Sequence, residues 1–213
     1  MKIYDISQEV FNCAVYPGDP QPVRDVKLRI CEGAVCNLTA FEMCAHNGTH
    51  VDAPYHFLDG EETIDRVPLE KFIGYAYVAE HDGDITAEAA EKILKDAKLT
   101  ETAYLKESSC VRNDQALCAY ERILVKGNAV MTKEGAEVFA KAGIKLFGNE
   151  SQTVGPLNAP MEVHLVMLVA KIVLLEGIRL AEVPVGVYLL NAAPINLGGS
   201  DGAPCRAVLM DLT

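Results

Sequence analysis

Ala45-His46-Asn47-Gly48-Thr49-His50-Val51-Asp52-Ala53-Pro54-Tyr55-His56-Phe57-Leu58 holds three of the five histidines of a 213-residue chain. His46, His50, Asp52 and His56 fall within eleven residues, interrupted by Gly48 and Pro54. Imidazole and carboxylate together are what a zinc- or manganese-like divalent ion takes as ligands. In a fully extended chain the Cα atoms of residues 46 and 50 would lie ~13 Å apart, and their imidazoles would barely meet. Gly48 has no Cβ and lets the backbone fold sharply between them. A helical turn would also bring i and i+4 together, but Pro54 and the valine and threonine content oppose a helix through the motif. The spacing predicts a bent loop entering a short extended piece, with His50 and Asp52 projecting from the same side. A lone histidine is ordinary filler, whereas four potential ligands this close point to metal-dependent chemistry. His81, in Ala79-Glu80-His81-Asp82-Gly83, reads as a polar residue at the end of a strand.

Half of the residues are hydrophobic and 23% are charged, an ordinary globular composition. The length suits one well-filled core and does not demand a second domain. A formal net charge of −11, with no clustered Lys and Arg, argues against a nucleic-acid partner. Met1-Lys2-Ile3-Tyr4-Asp5-Ile6-Ser7 lacks the apolar core of a signal peptide. The longest apolar stretch, 163–178, is broken by His164, Lys171 and Glu176, too short and too charged to span a membrane. It reads as a buried helix running into a buried strand. Seven cysteines without C-x-x-C spacing fit reduced thiols in a cytoplasmic protein. Cys13, Cys31, Cys36, Cys44, Cys110, Cys118 and Cys205 are expected as small core or half-exposed residues, not as nucleophiles.

Apolar alternation and β-branched content predict strands over 1–7, 26–31, 36–44 and 75–81, with a turn at Tyr16-Pro17-Gly18-Asp19-Pro20. An alanine- and glutamate-rich helix follows over 86–98, capped by Thr86 or Asp84. A strand over 122–126, a helix over 132–142 stopped by Gly143 and a strand over 144–147 come next. Pro160 introduces a helix near 161–170. Strands over 172–175, 187–192 and 207–210 complete the order, with a flexible loop over 198–202 before the last. A β-heavy first half followed by alternating helices and strands predicts an α/β fold: residues 1–213 as a single domain with a mixed β-sheet and flanking helices.

The string His46-x-Gly48-Thr49-His50-x-Asp52-x-Pro54-x-His56 resembles the signature of the metal-dependent cyclase family, which includes bacterial kynurenine formamidases (arylformamidases) and isatin hydrolases. Tyr16-Pro17-Gly18-Asp19, His164, Glu176 and Gly199-x-Asp201-x-x-Pro204-x-Arg206 extend the likeness over most of the chain. The resemblance implies a swivelling β/β/α-like fold and two divalent ions per subunit, Zn²⁺ or Mn²⁺. His46, His50 and Asp52 would hold one ion, Asp52, His164 and Glu176 the other, with Asp52 as bridge. His56, outside both sets, would act as general acid and base. The implied reaction is hydrolysis of a small amide, with N-formylkynurenine the leading substrate. A lactam or lactone hydrolase, a dehydratase or cyclase, and a non-catalytic metal- or metabolite-binding protein are the rivals. Tyr16 stands where many members carry Trp, and is a candidate for contacting substrate or reaching into a partner's pocket. Asn149-Glu150-Ser151 departs from the family's aspartate followed by a small residue. A homodimer or homotetramer is expected. Read from the residues alone, Glu176 and His164 sit in apolar runs where a polar group is costly unless paired or metal-bound, and a salt-bridged or capping role fits them equally.

Overall fold

The computed structural model describes residues 1–107 and 117–212. In chain order, strands β1 (Lys2–Asp5), β2 (Val23–Leu28), β3 (Leu38–Glu42), β4 (His50–Asp52), β5 (Ile73–Glu80) and β6 (Gly83–Ile85) lead to helix α1 (Ala87–Glu107). Then come β7 (Arg122–Lys126), β8 (Ala129–Met131), α2 (Lys133–Ala142), β9 (Leu146–Asn149) and α3 (Met161–Val169). β10 (Val173–Glu176), β11 (Gly186–Asn191), β12 (Gly202–Pro204) and β13 (Val208–Asp211) close the chain.

Nine strands form one mixed sheet in the order β1-β13-β11-β5-β7-β9-β10-β4-β12. The central run β5, β7, β9 and β10 is parallel. Parallel neighbours need a crossover, and α1, α2 and α3 supply one each. Side chains alternate between the faces of these strands. Tyr77, Ala79, Ile123, Val125, Phe147 and Leu174 pack beneath the helices, against Ala90, Ala136, Phe139 and Met167 among others. Ala76, Val78, Leu124, Leu146, Val173 and Leu175 fill the opposite face with Val51, Phe72 and Leu190. Burial on both faces explains why these strands read as continuous apolar runs. The predicted α/β class with a mixed sheet and flanking helices is therefore observed.

Local signals hold at several ends. Thr132 Oγ1 accepts from Gly135 N (3.1 Å) at the start of α2, and Gly143 ends that helix in the left-handed region. Ala89 N donates to Thr86 Oγ1 (3.3 Å), so Thr86 rather than Asp84 provides the side-chain cap of α1. Three differences stand out. Helix α1 runs on to Glu107, past the predicted end at Lys98; Thr100 and Thr102, poor helix formers, return their hydroxyls to Asp96 O and Lys98 O (both 2.8 Å). Among the described residues strands β6 and β8 pair only with each other, and both are too short for a periodic signal. Finally, the segment read as a flexible loop over 198–202 ends in β12, which pairs with β4. A glycine followed two residues later by proline carries no strand signature, yet an edge position tolerates both. Cys31 and Cys36 are exposed, Cys13, Cys44, Cys118 and Cys205 are half-buried, and Cys110 lies outside the described residues. Among the described residues no helix is long and apolar enough to cross a membrane.

Candidate metal centre

Strand β4 is the three residues His50-Val51-Asp52, held between β10 and β12. Its register places His50 opposite Glu176 and Pro204, and Asp52 opposite Leu174 and Gly202. The two-residue period sends Val51 into the core while His50 and Asp52 share the other face, as the spacing predicted. Glu176, paired opposite His50, projects from that same face. His164 reaches it from α3.

Upstream, the chain bends at Gly48, whose φ of +65° lies in the left-handed region, and a Cβ there would press on Cys13. The bend returns His46 to the cluster. Downstream, Pro54 opens a short 3-10 turn that ends at His56. The His46 and His56 rings stack with centroids 4.0 Å apart. His46, His50, Asp52, His56, His164 and Glu176 are thus brought together, while His81 stays apart and contacts Asp84 O.

His50 Nε2 lies 3.5 Å from Asp52 Oδ1 and 3.4 Å from Glu176 Oε2. His164 Nε2 lies 3.6 Å from Asp52 Oδ2 and 3.3 Å from Glu176 Oε1. All four residues are buried, and among the described residues His50 Nε2 and Asp52 Oδ2 have no hydrogen-bond partner. Orphaned polar atoms at such depth are costly. A cation would satisfy them: ligand bonds of ~2.1 Å in a tetrahedral arrangement put ligand atoms ~3.4 Å apart. The remaining imidazole nitrogens are engaged from behind. His50 Nδ1 donates to Gly48 O (3.0 Å) and His164 Nδ1 to Pro160 O (2.9 Å), which turns each Nε2 lone pair towards the carboxylates. Gln152 Nε2 donates to the same Gly48 carbonyl (2.9 Å), and Gln8 in turn to Gln152 Oε1 (2.8 Å). Val154 N donates to Glu176 Oε1 (2.9 Å). The donor set and its supports fit a divalent ion.

Charge is concentrated here. Burial alone would depress the His46 imidazole, but facing Asp52 and Asp201 raises it to about 11. Burial likewise opposes protonation of His164, which Asp52 and Glu176 carry up to about 10. Burial raises Asp52, yet His46 and His164 beside it hold its carboxyl well below the usual range. Protons on these imidazoles compete with a metal ion for the same lone pairs.

The cluster floors a cleft of about 380 Å³ whose walls include Tyr16, Asp19, Cys44, Phe57, Gln152 and Pro160. That size suits a small ligand. Tyr16 lines the cleft of its own chain, anchored by its hydroxyl donating to Leu157 O (2.8 Å). Asp201, a cleft residue to which the sequence reading assigns no role, joins the histidines: its Oδ2 lies 2.8 Å from His46 Nε2 and 3.1 Å from His56 Nδ1. Its place in the closing Gly199-x-Asp201 string was the available signal.

The Cyclase family model, described as Putative cyclase, matches residues 4–156. A kynurenine formamidase of Salinibacter ruber (strain DSM 13855 / M31) is 34% identical over 215 residues, covering 99% of this chain and 98% of its own length. Another, from Paracidovorax citrulli (strain AAC00-1), is 32% identical over 213 residues, covering 97% and 95%. Among solved structures, isatin hydrolase A from Labrenzia aggregata bound to benzyl benzoate superposes with a TM-score of 0.76 at 19% identity, covering 100% of this chain and 94% of that one. A potential metal-dependent hydrolase with cyclase activity gives 0.72 at 24% identity, covering 98% and 96%. These two structural likenesses bear on the fold.

Proposed function

The chain belongs to the cyclase family, and we propose that it is a metal-dependent hydrolase of small amides, of arylformamidase type, acting as one unit over residues 1–213. The observation that carries this reading is the convergence of His50, Asp52, His164 and Glu176 around two orphaned buried atoms at the floor of a ligand-sized cleft. N-formylkynurenine is the first substrate to test, supported by the names of the relatives.

His46, His50 and Asp52 would hold one divalent ion, zinc or manganese, and Asp52, His164 and Glu176 a second. The two oxygens of Asp52 face different imidazoles, which supports it as the bridge. A bound divalent ion supplies Lewis acidity, lowering the pKa of water towards ~7 and polarising a carbonyl. His56, at the cleft wall and outside both sets, takes the proton from attacking water and passes it to the departing arylamine. Water adds across the formyl C–N bond: a C–O bond forms, the C–N bond breaks, and formate and free amine leave. Tyr16 and Phe57 offer aromatic surface to the aryl ring.

Assembly as a homodimer or homotetramer belongs to the same proposal. It is supported by the β2–β3 hairpin, a sheet of its own on which Val23, Leu38 and Phe41 are exposed. The cytoplasm is the proposed setting, on the cysteine pattern.

Elemental analysis combined with an absorbance assay on aryl formamides tests the reading. Metal nearer two ions than one per chain is expected, with turnover abolished by chelation and restored by zinc or manganese. His56→Ala should keep its metal and lose about 10²–10⁴-fold in kcat. A metal-free protein indifferent to chelators would overturn the proposal, and loss of metal from His56→Ala would make His56 a ligand. Turnover of isatin in place of formamides would replace the substrate assignment.

A further inference from the structure

Asp201 stands outside both proposed ligand sets, yet it touches a member of one of them and the acid–base residue. A single oxygen, Oδ2, lies 2.8 Å from His46 Nε2 and 3.1 Å from His56 Nδ1. The two rings meeting at that oxygen are stacked, 26° from parallel. We propose that Asp201 is the positioning residue of the site: its carboxylate selects the tautomer of His56 that leaves Nε2 free as the base, and fixes the orientation of the His46 ring stacked on it. This inference rests on the hydrolytic reading above.

The chemistry is decided by what a carboxylate can do. An ionised carboxylate only accepts hydrogen bonds, so each ring nitrogen facing it carries its proton. His56 is then protonated on Nδ1, and the lone pair needed to take a proton from water is on Nε2. The His46 ring is held between two carboxylates, its Nε2 at Asp201 and its Nδ1 2.9 Å from Asp52 Oδ1, which fixes its orientation beside His56. One oxygen therefore couples the orientation of a proposed ligand to that of the base, the role a buried aspartate plays behind a catalytic histidine elsewhere.

Backbone hydrogen bonds hold the segment that carries Asp201. Ala53 N donates to Asp201 O (2.9 Å), Ile64 N to Ser200 O (2.9 Å), and Ser200 Oγ to Gly202 O (2.8 Å). Gly202 lets the His46 ring lie against β12, since a Cβ there would come within 2.7 Å of His46 Cε1.

Histidine ¹⁵N spectra of the zinc-loaded protein, read beside turnover, test the assignment. Wild type should show His56 protonated on Nδ1. Asp201→Asn, whose amide can donate to that nitrogen, should move the proton to Nε2 and lower kcat by about 10²–10⁴-fold. KM and zinc content should stay within a few-fold. Asp201→Glu, which keeps a carboxylate, should retain the Nδ1–H form and turn over faster than the asparagine variant. Wild-type His56 protonated on Nε2 overturns the proposal without recourse to any variant. So does an asparagine variant with near-normal kcat, or one that loses its zinc, which would make Asp201 a ligand. Absence of amide turnover in wild type would remove the hydrolytic reading, and the spectra would still decide the role of Asp201.

Discussion

His46 and His164 hold protons far more tightly than free imidazole does, because each is buried against two carboxylates: Asp52 and Asp201 for the first, Asp52 and Glu176 for the second. Their folded values, about 11 and about 10, are raised above the ordinary 6.5. The stability they contribute is complete below pH 6.5, declines as pH climbs, and is gone once pH passes these folded values. Asp52 and Asp201 are depressed, so their contribution is present above the ordinary 3.8 and is lost as pH falls. Chelator-treated protein should therefore show a melting temperature that drops steadily from about pH 7 to about pH 10. Zinc-loaded protein should resist that drop, since the ion takes the lone pairs the protons held. Zinc added to chelator-treated protein in weak buffer should acidify the solution. Parallel melting curves with and without metal, and no proton release, would separate these histidines from any metal site.

At the level of elements, helix α2 seats closely on the β6–β8 pair. Gly135 lies in α2, where alanine would ordinarily favour the helix by ~1 kcal/mol. A Cβ at that position would instead drive into the backbone carbonyl of Ile85 at the end of β6 and crowd Met131 Sδ. Backbone cannot step aside as a side-chain tip can, so the overpacking cost of about 1–3 kcal/mol decides the sign. Gly135→Ala should lower the melting temperature with little change in metal content, and a stabilised variant would show that α2 sits further from β6. The same elements mark what local sequence could and could not reveal. Thr132 and Gly143 announce the ends of α2, and the apolar runs of β7, β9 and β10 announce buried strands. Strand β12 was hidden, because Gly202-Ala203-Pro204 becomes a strand only through its ladder to β4.

For the whole molecule, the β2–β3 hairpin stands apart from the main sheet. Val23 and Phe41 are each more than half exposed, 54% and 57%, on an arm that pairs only with itself. A two-stranded ribbon is marginal alone in water; its register puts Val23 on one face and Phe41 on the other, so both faces expose apolar side chains that a partner could cover. Under the proposed assembly, light scattering should give an even-numbered oligomer at micromolar concentration. Val23→Glu combined with Phe41→Glu should shift it towards monomer. A wild-type monomer with full activity at that concentration would remove the assembly proposal.

The sequence by itself determined the elements that local rules govern: alternation in buried strands, caps at helix ends, and the bend at Gly48 that groups His46, His50, Asp52 and His56. It also marked Glu176 and His164 as polar residues in apolar surroundings, without saying what they meet. Only the tertiary structure decided that. Glu176 joins His50 because β10 and β4 pair in a register that sets them opposite each other. Asp201, 145 residues from His56 along the chain, reaches it because β12 pairs with the far edge of β4. Periodicity reports which way a side chain faces within its own element. Which carboxylate waits on that face is chosen by strand pairing and crossover packing, energies that belong to no single stretch of chain.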